Sequence, residues 1–151
     1  GNPGKAPLTK LQFSVQDSAL HGEDMPPVSE WLTQTTKNSQ QNIAQQVYEN
    51  TWKWLKDRGC DQYVNKDLIE QYALYMQRTI QCQEGINQYG LLAKHPTTQM
   101  PIASPYFNMA LQSSKQANLY WMQIYQIVKE NCETPLGNSN PNDDLMERLL
   151  G

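Results

Sequence analysis

The sequence predicts an all-α fold with one minor β-hairpin at most, and three observations lead to this prediction. Between residues 65 and 131, apolar residues recur at alternating steps of three and four, which is the spacing of long amphipathic helices. Residues that favour helix starts and stops border this stretch. The segment 91–103, which contains prolines and threonines, interrupts it and is typical of a small hairpin or an ordered loop.

The chain of 151 residues is expected to form one domain with tails. We divide it into an extended or partly disordered N-terminal arm at 1–38, a helical domain at 39–131, and a linker with a short C-terminal helix at 132–151. The arm is assigned because Pro, Gly and Thr are frequent there and apolar residues are few. One helical turn is expected at about 28–32, with Trp31 and Leu32 anchoring the arm to the domain.

The first helix of the domain is predicted at about 39–58, and Gly59 ends it. A basic cluster with interleaved tryptophans lies at its end and just beyond: Lys53, Lys56, Arg58 and Lys66. Two explanations stay open. The cations interact with the C-terminal helix dipole and lay their stems along apolar surface, or they contact DNA phosphates. In the second case, Lys5 and Lys10 of the arm would also bind DNA.

A long helix follows, bounded by three signals. Asn65 is a favoured N-cap residue, Asp67 places a carboxylate at the positive end of the helix dipole, and Gly90 supplies a C-terminal stop. The apolar seam of this helix consists of Leu68, Tyr72, Tyr75, Thr79, Cys82, Ile86 and Tyr89. Such a seam predicts a partner helix packed along its length.

The chain then turns back through 91–103 into a second long helix. Pro101 would confine a strand in this segment to an edge position, because proline has no N–H to donate. Ser104 followed by Pro105 is a helix start, and the helix is expected to reach Asn131. Its seam consists of Phe107, Ala110, Ser114, Ala117, Trp121, Ile124 and Val128. The two long helices are therefore predicted to form an antiparallel helical hairpin.

A second apolar stripe lies on the first long helix, formed by Ile69, Ala73, Met76 and Ile80. One partner helix cannot cover this stripe together with the seam, so something else must bury it. Either the N-terminal helix of the same chain covers it, or it is a subunit interface. The second alternative predicts a homo-oligomer held by the hairpin.

The C-terminal helix is predicted at 143–150, capped by Asn142 and two acidic residues. Its apolar residues share one face: Leu145, Met146, Leu149 and Leu150. A helix this short is marginal alone in water, so that face must be buried. It docks either on its own or a neighbouring subunit, or in a groove of a partner protein.

Composition and motifs argue against several classes of function. The net charge of −3 does not suit a protein that coats nucleic acid with its whole surface. The sequence has no P-loop, GxGxxG or GxSxG motif, its three cysteines form no CxxC pair, and neither His21 nor His95 has a partner at metal-ligand spacing. No stretch is apolar and long enough to span a bilayer. We expect no catalytic residues, no metal, no cofactor and no membrane contact.

Several blocks resemble one protein family. Residues 1–8, GNPGKAPL, are similar to a GNPGK-x-PL segment near the start of many small subunits of tailed-phage terminases. Further blocks resemble that family in the same order along the chain: 52–55, 90–98, 104–105, 127–131 and 143–150. The likeness therefore extends over nearly the whole chain.

This resemblance implies a non-catalytic component of viral genome packaging. Small subunits of terminases form rings, recognise viral double-stranded DNA and load it onto the large subunit, which carries the ATPase and nuclease. The implied partners are viral DNA, the terminase large subunit and further copies of the chain, in the cytoplasm of the bacterial host. Two other functions compete with this one: a helical oligomeric scaffold or regulator without a DNA role, and a metal-dependent nuclease using Asp143, Asp144 and Glu147.

Overall fold

The computed structural model describes residues 25–33, 42–132 and 140–151. Within these ranges the fold is mostly helical, with one small antiparallel sheet, and this confirms the predicted fold class. The elements are α1 (Glu30–Thr33), α2 (Ile43–Asp57), a 3₁₀ turn (Asp61–Tyr63), α3 (Lys66–Tyr89), β1 (Leu92–Lys94), β2 (Pro101–Ala103), α4 (Pro105–Asn131) and α5 (Asp143–Leu150). Most of the predicted N-terminal arm and of the C-terminal linker lies outside the described residues.

The borders of the two long helices agree with the predicted signals. The Asn65 side chain accepts a hydrogen bond from the Asp67 backbone N–H at 2.8 Å, and Gly90 ends α3 with a φ of 88°. Ser104 Oγ accepts from the Tyr106 N–H at 3.2 Å. Each side chain satisfies a backbone donor that the first turn of a helix leaves without a partner.

Helix α2 begins later than predicted. Asn42 is its N-cap, and its Oδ1 accepts from the Gln45 N–H at 2.9 Å. The same amide donates from Nδ2 to the Thr33 carbonyl at 2.7 Å, which connects the helix start to the end of α1. The predicted start at residue 39 was therefore wrong. Asn42 forms this cap because its side chain satisfies two backbone groups at once.

Aromatic side chains of α3 and α4 form pairs across the helical hairpin. Ring centroids are 5.6 Å apart for Tyr72 and Trp121, 5.9 Å for Tyr75 and Tyr120, and 6.2 Å for Tyr89 and Tyr106. The residue numbers of these pairs rise along α3 while they fall along α4, so the two helices are antiparallel as predicted. Aromatic pairs at such distances stabilise a contact beyond the area they bury.

The predicted seam of α4 needs a correction at its first position. Phe107 is exposed, whereas the buried residues of α4 are Ala110, Ser113, Ala117, Ile124 and Val128. The reason lies in the depth of the core. The buried residues that α3 contributes to the main core end at Ile80. Those that α4 contributes begin at Ala117. Helix α2 packs against this part of the hairpin, and among the described residues no third helix covers the positions nearer the turn.

Helix α5 packs against α2 and α3 of its own chain. Leu145 is buried in the main core. Asn142 is also buried, and its Nδ2 donates to Thr51 Oγ1 at 3.1 Å and to the Tyr72 hydroxyl at 3.4 Å. Asn142 is the N-cap residue of α5 as predicted, but its side chain makes no capping bond. The buried hydroxyls compete successfully for its amide.

The described part of the N-terminal segment is anchored through a buried carboxylate. Glu70 accepts hydrogen bonds from the Ser29 N–H at 2.6 Å and from the Ser29 hydroxyl at 3.0 Å. Leu32 is buried as predicted, but Trp31 is 47% exposed and does not anchor the segment. Paired hydrogen bonds of this kind offset the cost of burying a carboxylate.

Candidate interaction surfaces

The end of the hairpin projects beyond the core as an arm. We define the distal arm as residues 82–116: the end of α3, the sheet, and the start of α4. It exposes large hydrophobic side chains, namely Tyr89, Leu91, Leu92, Met100, Ile102, Phe107, Met109 and Leu111. Apolar surface concentrated in this way marks an interaction site. The distal arm is therefore the first candidate surface.

Neither face of the small sheet at the tip is covered by the residues that the structure describes. Leu92 pairs with Ala103 and Lys94 with Pro101, and most residues of both strands are exposed. A two-stranded ribbon is marginally stable alone in water. The His95 Nδ1 accepts N–H bonds from Thr97 and Thr98 at 3.2 Å each, which shapes the turn. His95 is thus a turn residue, and the ribbon is placed to gain stability from a partner.

An outer stripe continues this surface along α4. It consists of Phe107, Leu111 and Met122, which are 44%, 51% and 58% exposed. Steps of four and eleven residues bring them to one side of a helix that turns once in about 3.6 residues. Beside the outer stripe, a shallow groove of about 170 Å³ lies between α3, α4 and α5, and Met76, Ala117 and Trp121 are among its lining residues. The groove is small for a small-molecule site.

The four residues predicted as a subunit interface lie elsewhere. Ile69, Ala73 and Ile80 are 1%, 0% and 0% exposed, because they pack in the core that α2 helps to form. Met76 is partly buried and lines the groove. For three of the four residues, the structure thus agrees with the alternative in which the N-terminal helix of the same chain, α2, covers the stripe. These three present no side-chain surface to another subunit.

The residues predicted to bind DNA are only partly brought together. Lys53 and Lys56 are exposed on α2, with the Lys56 ammonium 5.3 Å from the Trp52 ring centroid. Arg58 instead packs over Trp54, with its guanidinium carbon 4.3 Å from the ring centroid, and donates to the Trp54 carbonyl at 3.2 Å. This contact stabilises the end of α2 and leaves the guanidinium less available to phosphate.

The remaining basic residues differ in their surroundings. Lys66 is near the buried Glu70, with Nζ and Oε2 4.0 Å apart, so part of its charge is offset. Lys5 and Lys10 lie outside the described residues. The exposed basic surface that the structure describes around α2 therefore consists mainly of Lys53 and Lys56.

The residues predicted to bind a partner protein are engaged within the subunit. Leu145 is buried, and Met146, Leu149 and Leu150 are partly buried against the core. Burial raises the pKa of the neighbouring Tyr72 hydroxyl, and its hydrogen bonds with Asn140 and Asn142 oppose that shift. One cost remains in this contact. Asn142 Oδ1 is buried without a hydrogen-bond partner among the described residues, which weakens the docking of α5.

The chemistry of the described residues is limited. Across 25–33, 42–132 and 140–151, no group of three or more His, Cys, Asp or Glu residues is arranged to hold a metal ion. Asp143 accepts a hydrogen bond from the Asn140 N–H at 3.0 Å, as a carboxylate beside a helix start commonly does. No helix in the same ranges is long and apolar enough to cross a membrane.

Sequence reasoning missed the distal arm as a surface. The signal was present, because Leu91, Leu92, Met100 and Ile102 crowd a short segment that has too few residues to bury them. Their spacing also fits the two sides of a hairpin or loop, which is the interpretation given from the sequence. Apolar density in a turn-containing segment indicates an interaction surface when no further helix is available to pack on it.

Comparison with known proteins gives one match. A family model described as phage terminase, small subunit, matches residues 44–124, which is more than half of the chain. The match spans α2, α3, the sheet and most of α4, and so includes the whole distal arm together with Lys53 and Lys56. Neither the curated proteins nor the solved structures contain a match to this chain.

Proposed function

The chain belongs to the phage terminase small-subunit family, and from this premise we propose that it is a non-catalytic component of viral genome packaging that binds viral DNA and delivers it to the terminase large subunit. The observation that carries the proposal is the family match over a helical hairpin with an exposed apolar arm. A protein that must repeat a weak DNA-binding surface needs a way to assemble, and the arm offers one. A DNA mobility shift with a salt titration tests the proposal. Binding that falls steeply with salt is expected, and DNA incubated with Mg²⁺ should stay uncut.

We propose that copies assemble into a ring through the distal arm and the outer stripe. These surfaces lie on one end and one side of the hairpin, whereas the groove between α3, α4 and α5 offers a neighbour a different surface. Contact between different surfaces of neighbouring copies is heterologous, and such contacts form rings when the rotation closes. The predicted stripe on α3 is replaced in this proposal, since Ile69, Ala73 and Ile80 already form the subunit's core. Light scattering should show more than two subunits.

DNA binding is expected to depend on Lys53 and Lys56. Reversing both charges with Lys53→Glu and Lys56→Glu should lower affinity at low salt by at least about tenfold and should reduce the slope of log K against log salt, because fewer counterions are released from DNA. The ring repeats every lost contact, so the effect is larger than one subunit's charges suggest. Arg58 is left unchanged in this test because it stabilises α2 through Trp54. Fluorescence anisotropy with a labelled duplex measures both quantities.

A matched control is available on the two long helices, outside the distal arm and the outer stripe. Arg78 of α3 and Lys129 of α4 are also exposed, and reversing both changes the net charge by the same amount at a different place. This variant should bind DNA nearly as the parent does. Equal loss in both double variants would show that net charge alone matters, and unchanged binding after reversal at 53 and 56 would place the DNA site elsewhere. If the parent itself shows no salt-dependent DNA binding, the alternative function, an oligomeric scaffold without a DNA role, is favoured.

We propose that α5 contacts the large subunit after leaving its docked position. Leu145 cannot fill the subunit core and a partner's groove at the same time, and the unpartnered Asn142 Oδ1 lowers the cost of release. Asn142→Ala removes the bonds from Nδ2 to Thr51 and Tyr72, which loosens docking, and it leaves the apolar face of α5 intact. It should therefore raise the affinity for the large subunit by up to about tenfold, because more of the chain is in the binding-competent state. Calorimetry with purified large subunit measures this.

The opposite result is expected for a change on the apolar face itself. Leu149→Asp should lower the affinity, since the released helix would then present a carboxylate to an apolar groove. Asp144→Asn, at an exposed position of α5, should change little. If Asn142→Ala weakens the complex instead, the large subunit recognises the docked form or another surface.

A further inference from the structure

Two of the three cysteines lie against each other although they are far apart in sequence. The Cys60 and Cys132 thiols are within hydrogen-bonding reach of one another. Cys60 is buried in the main core, and Cys132 is partly buried against the same core. The third cysteine, Cys82, is buried on the α3 side of the hairpin and does not belong to that cluster. The fold thus forms one specific thiol pair.

Both members of the pair are held by regular backbone structure. The Cys60 N–H donates to the Leu55 carbonyl at 2.8 Å, in the turn that follows α2. The Cys132 N–H donates to the Val128 carbonyl at 2.8 Å, and Cys132 is the C-cap of α4. A disulfide demands closely spaced backbones with side chains pointing toward each other, and two anchored thiols already in contact approach that demand.

We propose that Cys60 and Cys132 form a redox-sensitive dithiol that closes to an intramolecular disulfide when it meets a low-molecular-weight disulfide such as oxidised glutathione. In its closed form the bond fastens the end of α4 to the connection between α2 and α3. It fixes the point from which the chain continues to α5. The inference rests on the fold alone and does not depend on the proposed function.

The exchange proceeds in two balanced steps. The more accessible Cys132, as thiolate, attacks one sulfur of oxidised glutathione, forms a mixed disulfide and releases one glutathione thiolate. Cys60 then loses its proton, attacks the Cys132 sulfur and releases the second glutathione thiolate. The protein pair gives up two electrons and two protons, and one oxidised glutathione becomes two reduced ones. Burial raises the pKa of the Cys60 thiol, and the contact with Cys132 adds to that shift, so closure should be slower at low pH.

Incubation of the full chain with oxidised glutathione tests the proposal. Of the three thiols, one should remain reactive in the denatured, oxidised protein, and its mass should fall by that of two hydrogen atoms. A peptide map without reduction should contain a single cross-linked pair that includes residues 60 and 132. The melting temperature should rise by several degrees and return after dithiothreitol, because the bond closes a loop of roughly 70 residues.

Three variants complete the experiment. Cys82→Ser is the matched control and should close as the parent does, leaving no reactive thiol. Cys132→Ser, at the more accessible position, should lose the cross-link and the melting-temperature shift while keeping the parent's helical circular dichroism. Cys60→Ser should also lose the cross-link and the melting-temperature shift. If this buried replacement fails to fold, the result for Cys132→Ser tests the proposal. Three reactive thiols after oxidation, a stable glutathione adduct, a cross-link through Cys82 or a disulfide between two chains would overturn the proposal.

Discussion

Replacing both Leu111 and Met122 by glutamate is expected to dissociate the oligomer into folded monomers. The two side chains are 51% and 58% exposed in the subunit, so charged replacements cost the subunit fold little. In the proposed interface the same positions would bury two unpaired carboxylates, at a cost of several kcal/mol, and each ~1.4 kcal/mol lowers the association constant tenfold. Light scattering coupled to gel filtration measures the mass, and circular dichroism checks that the helices remain.

The control for this experiment adds the same charge to a neighbouring side of α4. Gln112 and Gln123 are exposed, directly follow the two tested positions, and have the same eleven-residue separation. Gln112→Glu combined with Gln123→Glu should keep the parent's mass. An undiminished mass for the Leu111 and Met122 variant would exclude the outer stripe as an interface, and a monomeric parent at micromolar concentration would remove the basis of the ring.

Replacing Ile80 by glutamate is expected to unfold the subunit itself. Ile80 is 0% exposed and belongs to the main core with Ile69 and Ala73. A carboxylate at this position would lose its hydration without gaining a partner, at a cost that is a large fraction of the ~5–15 kcal/mol stabilising an ordinary domain. The melting temperature should fall by on the order of 10 °C or more, and the cooperative transition should be lost if stability is low. Thermal unfolding followed by circular dichroism measures this.

Met76→Glu provides the comparison one turn earlier on α3. Met76 is partly buried and lines the groove beside α4 and α5, so its replacement can keep the carboxylate in water. It should destabilise the subunit much less than Ile80→Glu does. A folded, monomeric Ile80→Glu protein would contradict this account, because it would mean that the stripe on α3 faces another subunit.

The local borders of the helices could be predicted because neighbouring residues determine them. Asn65, Gly90 and Ser104 act through bonds or dihedral angles within a few positions of themselves. The alternation of apolar residues similarly predicted two long helices packed against each other, since it depends on helix geometry alone. The family match over 44–124 agrees with the resemblance found in the sequence blocks within that range.

The choice of partner for each surface was decided only by the tertiary structure. Periodicity showed that Ile69, Ala73 and Ile80 are apolar, but α2 of the same chain covers them. Asn142 has the sequence character of a cap, yet its amide bonds to Thr51 and Tyr72, which are far away along the chain. Caps and periodicity depend on residues within one or two helical turns, whereas burial depends on distant segments meeting. The sequence therefore determined the helices and their apolar faces, and packing determined which faces were covered and which, like the distal arm, remained exposed.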